Sequence, residues 1–117
     1  MSIERFESGK RMSQAVVHNG VVYLAGQVGE PGADVRQQTQ QALTEIDRLL
    51  ALSGSSKSRV LTAQIWLSNI ADFPTMNDVW EGWIAPGNAP TRATAELKLA
   101  SPEYLVEIIV TAAVADV

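Results

Sequence analysis

The sequence has no cysteine and a single histidine, His18, among its 117 residues. Without cysteine the chain can form no disulfide, thiolate zinc site, iron–sulfur cluster or cysteine nucleophile. A metal site with two or more histidines cannot come from one chain, and a serine–histidine–aspartate triad would have to use His18. The lack of cysteine and the single histidine therefore exclude cysteine-dependent chemistry and metal sites built on thiolates or on several histidines of one chain.

Long apolar runs and an excess of basic residues are also missing. No apolar run reaches about 18 residues, so no transmembrane helix is expected, and the N-terminus has no apolar signal-peptide core. The chain has 9 Lys and Arg against 13 Asp and Glu, a formal net charge of −4. That charge provides no basic surface for nucleic acid or an anionic membrane. We therefore expect a cytoplasmic protein with neither as a partner.

Length and composition predict one domain over residues 1–117. Hydrophobic residues make up 46% of the chain and charged residues 19%, which is typical of a globular protein. No linker, repeat or low-complexity tract interrupts the sequence, and a chain of this size can hold one core without disulfides or metals.

Asn19-Gly20 predicts a β-hairpin, because both residues tolerate the positive φ that a type I′ turn needs. The flanking strands are expected over 14–18 and from 21 to 28, with a short extra strand over 3–6.

Two amphipathic helices are predicted. Asp34 caps the first, with Gln37 three residues later, and Ser53-Gly54 ends it. The second spans about 73–84, with Pro74 in its first turn. The side of the first helix expected to face water carries Gln38, Gln41, Glu45 and Arg48. The apolar stripe of the second carries Phe73, Met76, Val79, Trp80 and Trp83, and its two tryptophans are expected in the core.

Three more strands are predicted over 60–67, 92–99 and 105–114. In the first, Leu61, Ala63, Ile65 and Leu67 alternate with Thr62, Gln64 and Trp66. The order β-β-α-β-α-β-β predicts an α+β fold, a two-layer sandwich of a mixed β-sheet with two helices on one face. The other face would carry Trp66, Ile109 and Ala113, so burial alone predicts a homo-oligomer.

Arg92 and Glu107 are the charged residues that stand out in the last two strands. Arg92 follows a Pro-Thr turn, and its planar fork suits the carboxylate of a small anionic molecule. Equally, it could pair across strands with Glu96 or Glu107. Glu107 is the only charge over 105–115, and burial or pairing would shift its pKa and make it a candidate acid or base. The alternative is a buried Arg92–Glu107 pair that only fixes an interface.

Gly26 and Asn77 are weaker candidates. A glycine near the end of the second hairpin strand permits close approach by a ligand or a neighbouring chain, or else marks a β-bulge. The Asn77 amide could orient a substrate, or it could belong to a solvated face of the second helix.

Five short segments occur in the order and spacing of one known family. They read SQAV at 13–16, LAGQV at 24–28, MNDVW at 76–80, APTRAT at 89–94 and VEI at 106–108. Over nearly its whole length the chain resembles the YjgF/RidA (Rid) family of imine and enamine deaminases, formerly called L-PSP endoribonucleases. The Pro-x-Arg and Val-Glu-Ile pair is the most specific part of the resemblance.

The resemblance implies a chorismate-mutase-like fold and a homotrimer with a central β-barrel and sites in the clefts between subunits. It implies that Arg92 holds the substrate carboxylate, Glu107 positions or activates a water, the Gly26 backbone lines the pocket and Asn77 lies near it. The implied substrates are small anionic 2-imino acids of the 2-aminoacrylate type, hydrolysed to 2-keto acids and ammonia. No metal or cofactor is implied.

Two pocket positions depart from the family pattern and identify a divergent short subgroup. Met12 stands where well-known members have a pocket tyrosine, and Thr94 replaces a pocket cysteine. Met12 cannot donate a hydrogen bond, which favours an alternative: a non-catalytic trimer that binds or senses a small carboxylate. A ribonuclease is disfavoured by the acidic charge balance and the single histidine. A purely structural trimer would leave Arg92 and Glu107 without a role.

Overall fold

A computed structural model describes residues 2–115. The strands are β1 Glu4–Phe6, β2 Ala15–His18, β3 Val21–Leu24, β4 Gln27–Val28, β5 Val60–Leu67, β6 Thr91–Glu96 and β7 Val106–Ala113. The helices are α1 Val35–Leu52 and α2 Phe73–Trp83. This order confirms the predicted α+β architecture. The predicted strand over 92–99 is too long, because β5 ends at Leu67, the partner of Glu96, and β6 has nothing to pair with beyond it.

The strands form one mixed sheet in the order β1-β2-β3-β7-β5-β6, with β4 also paired to β7. Every pairing is antiparallel except that of β5 with β6. The β2–β3 hairpin turns at Asn19 and Gly20, whose φ values are 52° and 77°. Both are positive, as the predicted type I′ turn requires.

A bulge separates β3 from β4. Tyr23 lies opposite Thr111 of β7, and Gln27 lies opposite Ile108. The chain advances four residues from Tyr23 to Gln27 while β7 advances three, so the β3–β4 side contains one extra residue. Leu24 and Gln27 are consequently both buried toward the helices, although regular alternation would put them on opposite faces. The same extra residue turns Gly26 and Val28 toward the face that the helices leave open.

The first helix begins as predicted and buries one residue that was expected to face water. Asp34 accepts a hydrogen bond from Gln37 N–H at 2.8 Å, the expected cap. Gln38, in contrast, is fully buried, so the expectation for it is wrong. Its amide donates to Ala33 O and Glu103 O and accepts from Leu105 N–H, and these contacts replace the hydration that it loses.

The core lies between the helices and one face of the sheet. Its largest fully buried side chains include Leu43, Ile46, Leu49, Leu50, Ile65, Leu67, Met76 and Ile108. Leu61 was expected on this face but is 46% exposed, because an irregularity between Val60 and Thr62 shifts the register there. Within residues 2–115, no helix is long and apolar enough to cross a membrane.

The opposite face of the sheet, here called the open face, carries a mixture of apolar and polar side chains. Trp66, Ile109 and Ala113 lie on it half-buried, and Tyr23 is half-exposed. Neither helix covers this face, in agreement with the sequence analysis.

Candidate functional site

Arg92 projects from the edge strand β6 toward the helix layer. It is paired in register with the buried Ala63 of β5. Its guanidinium carbon lies 5.5 Å from the centroid of the Phe73 ring and 5.8 Å from that of the Trp80 ring. Both distances lie within the range of cation–π attraction. Two α2 aromatics therefore flank the guanidinium.

No carboxylate within residues 2–115 forms an ion pair with Arg92. Glu96, one proposed partner, instead accepts a hydrogen bond from Ile70 N–H at 2.8 Å. Within one copy of the chain Arg92 therefore pairs with neither Glu96 nor Glu107, and an Arg92–Glu107 pair at an interface stays a prediction. The charge of Arg92 remains available to an anion.

Thr94 lies two residues beyond Arg92 on β6, so its side chain points to the same side of the sheet. Its Oγ1 atom is shielded from solvent and has no hydrogen-bond partner. A buried hydroxyl without a partner costs free energy. A ligand bound beside Arg92 could form a hydrogen bond with this hydroxyl.

Glu107 projects from β7 onto the open face, in register with Trp66 and Val28. Its side chain passes over Gly26. A β-carbon built on Gly26 would overlap Glu107 Oε2 and come within 2.9 Å of Glu107 Cδ. The bulge predicted at Gly26 is therefore confirmed. The group that approaches Gly26 is a side chain of its own chain, and approach by a ligand or a neighbouring chain stays a prediction.

Burial raises the pKa of the Glu107 carboxyl above its ordinary value of 4.5. Within residues 2–115 no basic side chain pairs with this carboxyl to oppose the effect. A raised carboxyl pKa is typical of groups that take up and release protons in catalysis.

Arg92 and Glu107 lie on opposite faces of the sheet. Arg92 shares its face with Ala63, and Glu107 shares its face with Trp66. Arg92 of β6 pairs with Ala63 of β5, and Ala63 pairs with Val110 of β7, which is three residues from Glu107 on the same strand. Their backbones are therefore separated by roughly 10 Å across the strands and roughly 10 Å along them.

Met12 and Asn77 lie in different parts of the molecule. Met12, 49% exposed, lies in the loop between β1 and β2 at the sheet edge opposite β6. Asn77 is half-buried on α2, one turn after Phe73 and one turn before Trp80, which places it on the helix side near Arg92. One chain therefore brings Arg92, Thr94 and Asn77 together and leaves Met12 remote.

Phe73 and Trp80 are the residues beside Arg92 that the sequence analysis assigned only to the core. Their spacing matches an apolar stripe, and Trp80 is indeed only 5% exposed. The parallel pairing of β5 with β6 brings Arg92 against α2. Phe73 and Trp80 contact the Arg92 guanidinium because of this pairing, which the apolar stripe does not predict.

Two other features do not involve the candidate residues. Within residues 2–115, no three acidic or histidine side chains come together in an arrangement that could hold a metal ion. A groove of about 420 Å³ lies between α1 and α2, lined by Arg36, Lys57, Asp78 and Trp83 among others. It contains none of the six candidate site residues.

Known proteins resemble the chain over almost its whole length. The family model described as endoribonuclease L-PSP matches residues 2–114. A RutC family protein of Haemophilus ducreyi is 48% identical over 113 residues, which covers 96% of this chain and 97% of that protein. A more distant relative is the 2-iminobutanoate/2-iminopropanoate deaminase of Bos taurus. It is 33% identical over 92 residues, 73% of this chain and 66% of that protein.

Solved structures agree with the fold described above. NMB1025 of Neisseria meningitidis, a member of the YjgF protein family, superposes with a TM-score of 0.97 at 44% sequence identity. The alignment covers all of this chain and 98% of that chain. The two helices and the mixed sheet therefore have the arrangement seen in that family.

Proposed function

The chain belongs to the endoribonuclease L-PSP family, also called YjgF or RutC, and we propose that it hydrolyses reactive 2-imino acids to 2-keto acids and ammonia. The deaminase named among its relatives supports this reaction class. The observation that carries the proposal is the guanidinium of Arg92, which is half-buried between two aromatic rings and has no carboxylate partner within residues 2–115.

In the proposed mechanism, Arg92 binds the substrate carboxylate through its forked N–H donors. This contact fixes the position of the imine carbon. The unpartnered Thr94 hydroxyl and the Asn77 amide lie on the same side of the sheet and offer further hydrogen bonds. The charge of the guanidinium complements the anion throughout the reaction.

Glu107 activates the water in this mechanism. Its carboxylate takes a proton from water as the oxygen bonds to the imine carbon, and returns that proton to the nitrogen. Glu107 next moves the hydroxyl proton of the resulting carbinolamine to its nitrogen, so that the carbon–nitrogen bond breaks, ammonia leaves and the hydroxyl oxygen becomes the carbonyl oxygen of the 2-keto acid. A carboxyl whose pKa is raised by burial suits both transfers. Neither a metal nor a cofactor takes part.

The proposed site is completed by a second copy of the chain. In one chain, Arg92 and Glu107 lie on opposite faces of the sheet, too far apart to contact one small substrate. A homotrimer whose open faces meet would cover Trp66 and Ile109 and could bring Glu107 of one copy toward Arg92 of the next.

The activity is tested by generating a 2-imino acid in situ with an amino-acid oxidase and trapping the remainder with semicarbazide. We expect the wild type to reduce the trapped imine and Arg92→Ala to abolish the effect. Arg92→Lys, which keeps the charge but loses the fork, should retain only part of it, with kcat/KM lower by about tenfold or more. A wild type that matches buffer with several amino acids would contradict the proposal.

The contribution of two copies is tested by mixing inactive variants. If Arg92 and Glu107 meet across an interface, refolding Arg92→Ala together with Glu107→Gln should restore activity at interfaces that contain both intact residues. Each variant refolded alone is the control. An inactive mixture that has the wild-type assembly size would contradict a site shared between two copies.

One observation favours a second function, the binding of a small carboxylate without turnover. Met12 offers no hydrogen-bond donor where the deaminases have a tyrosine. In that case the wild type should bind pyruvate or a similar 2-keto acid, and lose this binding in Arg92→Ala, while never accelerating imine loss.

A further inference from the structure

Arg92 has an unusual environment for a half-buried arginine. Such a cation is ordinarily held by a carboxylate, yet no described carboxylate pairs with it. Its guanidinium carbon instead lies 5.5 Å from the Phe73 ring centroid and 5.8 Å from the Trp80 ring centroid. The two rings belong to one helix and are seven residues, or two turns, apart.

We propose that Phe73 and Trp80 are positioning residues, which hold the Arg92 guanidinium between their rings and keep its charge free for the substrate. The proposal rests on the proposed function of Arg92 as the carboxylate anchor. An acidic partner would neutralise the cation and compete with the substrate for its forked donors. An aromatic face attracts the cation without removing its charge or replacing the carboxylate it has to bind.

The Trp80 ring is itself held in place by a series of contacts. Its centroid lies 5.4 Å from that of Trp83, and Trp83 Nε1–H donates to Asp47 Oδ2 at 3.0 Å. Asp47 lies on α1, so the series connects both helices to Arg92. Phe73, at the first position of α2, is not part of this series and can be substituted with less disturbance of the core.

The test therefore uses Phe73, with one variant that removes the ring and one that keeps it. Phe73→Leu replaces the ring by an aliphatic side chain, and Phe73→Tyr retains a ring face. Val79→Ala is the matched control on α2, since Val79 lines the α1/α2 groove. We expect Phe73→Leu to raise KM for the imino acid about five- to tenfold with kcat within about twofold. Phe73→Tyr and Val79→Ala should stay within about twofold of the wild type in both constants.

A second readout does not depend on activity. Ring currents from Phe73 and Trp80 should displace the NMR signal of the Arg92 Nε–H group, which is assigned by its loss in Arg92→Lys. We expect the displacement to decrease in Phe73→Leu and to persist in Phe73→Tyr and Val79→Ala.

The outcomes separate the positioning role from the proposed function. An unchanged KM and an unmoved Arg92 signal in Phe73→Leu would overturn the inference, as would a raised KM that Phe73→Tyr does not restore. If the wild type neither hydrolyses imine nor binds 2-keto acid, the proposed function fails. The Arg92 signal then decides alone whether the rings hold the guanidinium.

Discussion

The carboxylate of Glu107 lies against the α-carbon of Gly26, in the space that a β-carbon at position 26 would occupy. Gly26 directly precedes β4, and β4 pairs with β7, the strand that carries Glu107. The glycine therefore determines where the carboxylate can lie on the open face.

We expect Gly26→Ala to displace Glu107 and to lower kcat/KM for imine hydrolysis by about tenfold or more, because a misplaced catalytic group loses much of its effect. The loss of stability should be small, about 1 kcal/mol, since the displaced atoms end a flexible side chain. Kinetics and thermal unfolding measure both effects. Gly9→Ala is the control, because its new β-carbon would meet only Met12 O at 3.8 Å. Full activity in Gly26→Ala would contradict the placement of Glu107.

The raised pKa of Glu107 predicts a pH dependence of stability. A folded-state pKa above the unfolded value means that the folded chain binds more protons between the two values. Stability therefore falls as pH rises from the ordinary 4.5 through the folded-state pKa, and is constant with respect to this group above it. Glu107→Gln should remove this decrease in the free energy of unfolding. Chemical denaturation of the wild type and the variant from acid to neutral pH measures the difference. If the free energy of unfolding changes with pH in the same way in the wild type and in Glu107→Gln, the burial of this carboxyl is contradicted.

Thr94→Val should separate stability from function. Removal of an unpartnered buried hydroxyl is expected to stabilise the fold by about 1 kcal/mol. If the hydroxyl bonds the ligand beside Arg92, the same change should lower affinity for a 2-keto acid about tenfold. Chemical denaturation and calorimetric titration give the two numbers. Thr94→Ser, which keeps the hydroxyl, should restore the affinity, and unchanged affinity in Thr94→Val would remove Thr94 from the site.

Trp66→Glu tests whether the open face is covered by another copy. A charge placed there would have to be buried in the assembly, which is costly without a partner. We expect the variant to have a smaller assembly mass by light scattering and to lose imine hydrolysis. Leu52→Glu places the same charge at an exposed position, 46% accessible on α1, and should leave both unchanged. An unchanged assembly in Trp66→Glu would show that this face is not the interface.

Gly29 and Gly82 provide a matched pair for the packing of α1. A β-carbon on Gly29 would come within 2.5 Å of Gln38 Cα and 2.8 Å of Gln38 O, whereas one on Gly82 would meet nothing within 4 Å. Gly29→Ala should cost about 2 kcal/mol or more, because backbone has to move. Gly82→Ala, in the last turn of α2, should add about 0.5–1 kcal/mol to the free energy of unfolding. Equal unfolding free energies would contradict this packing.

The elements with local signals could be predicted from sequence. Asn19-Gly20 and the Asp34 cap depend on their own neighbours in the chain, and both lie where they were expected. The burial of Gln38 could not be predicted, because its partners Ala33, Glu103 and Leu105 come together only after the chain has folded.

The candidate site was predicted less completely than the fold. The motif resemblance selected Arg92 and Glu107, but it could not show that the two occupy opposite faces. That arrangement depends on the pairing of β5 with both β6 and β7. Likewise, periodicity identifies Trp80 as a core residue and contains no information about which strand lies against it.

The bulge between β3 and β4 shows that one extra residue in a strand can determine where a site forms, without a change in the side chains that compose it. Regular alternation would direct position 26 toward the helices, where a glycine would leave a void under α1. One additional residue reverses the face of the sheet toward which each residue from Gly26 to Val28 points. The register of the β2–β3 hairpin before it is unchanged. A regular strand that kept all of these residues would instead turn Gln27 out to the open face and direct Gly26 inward. Glu107 would lose the neighbour that makes room for it, although no residue named in the mechanism would have been substituted.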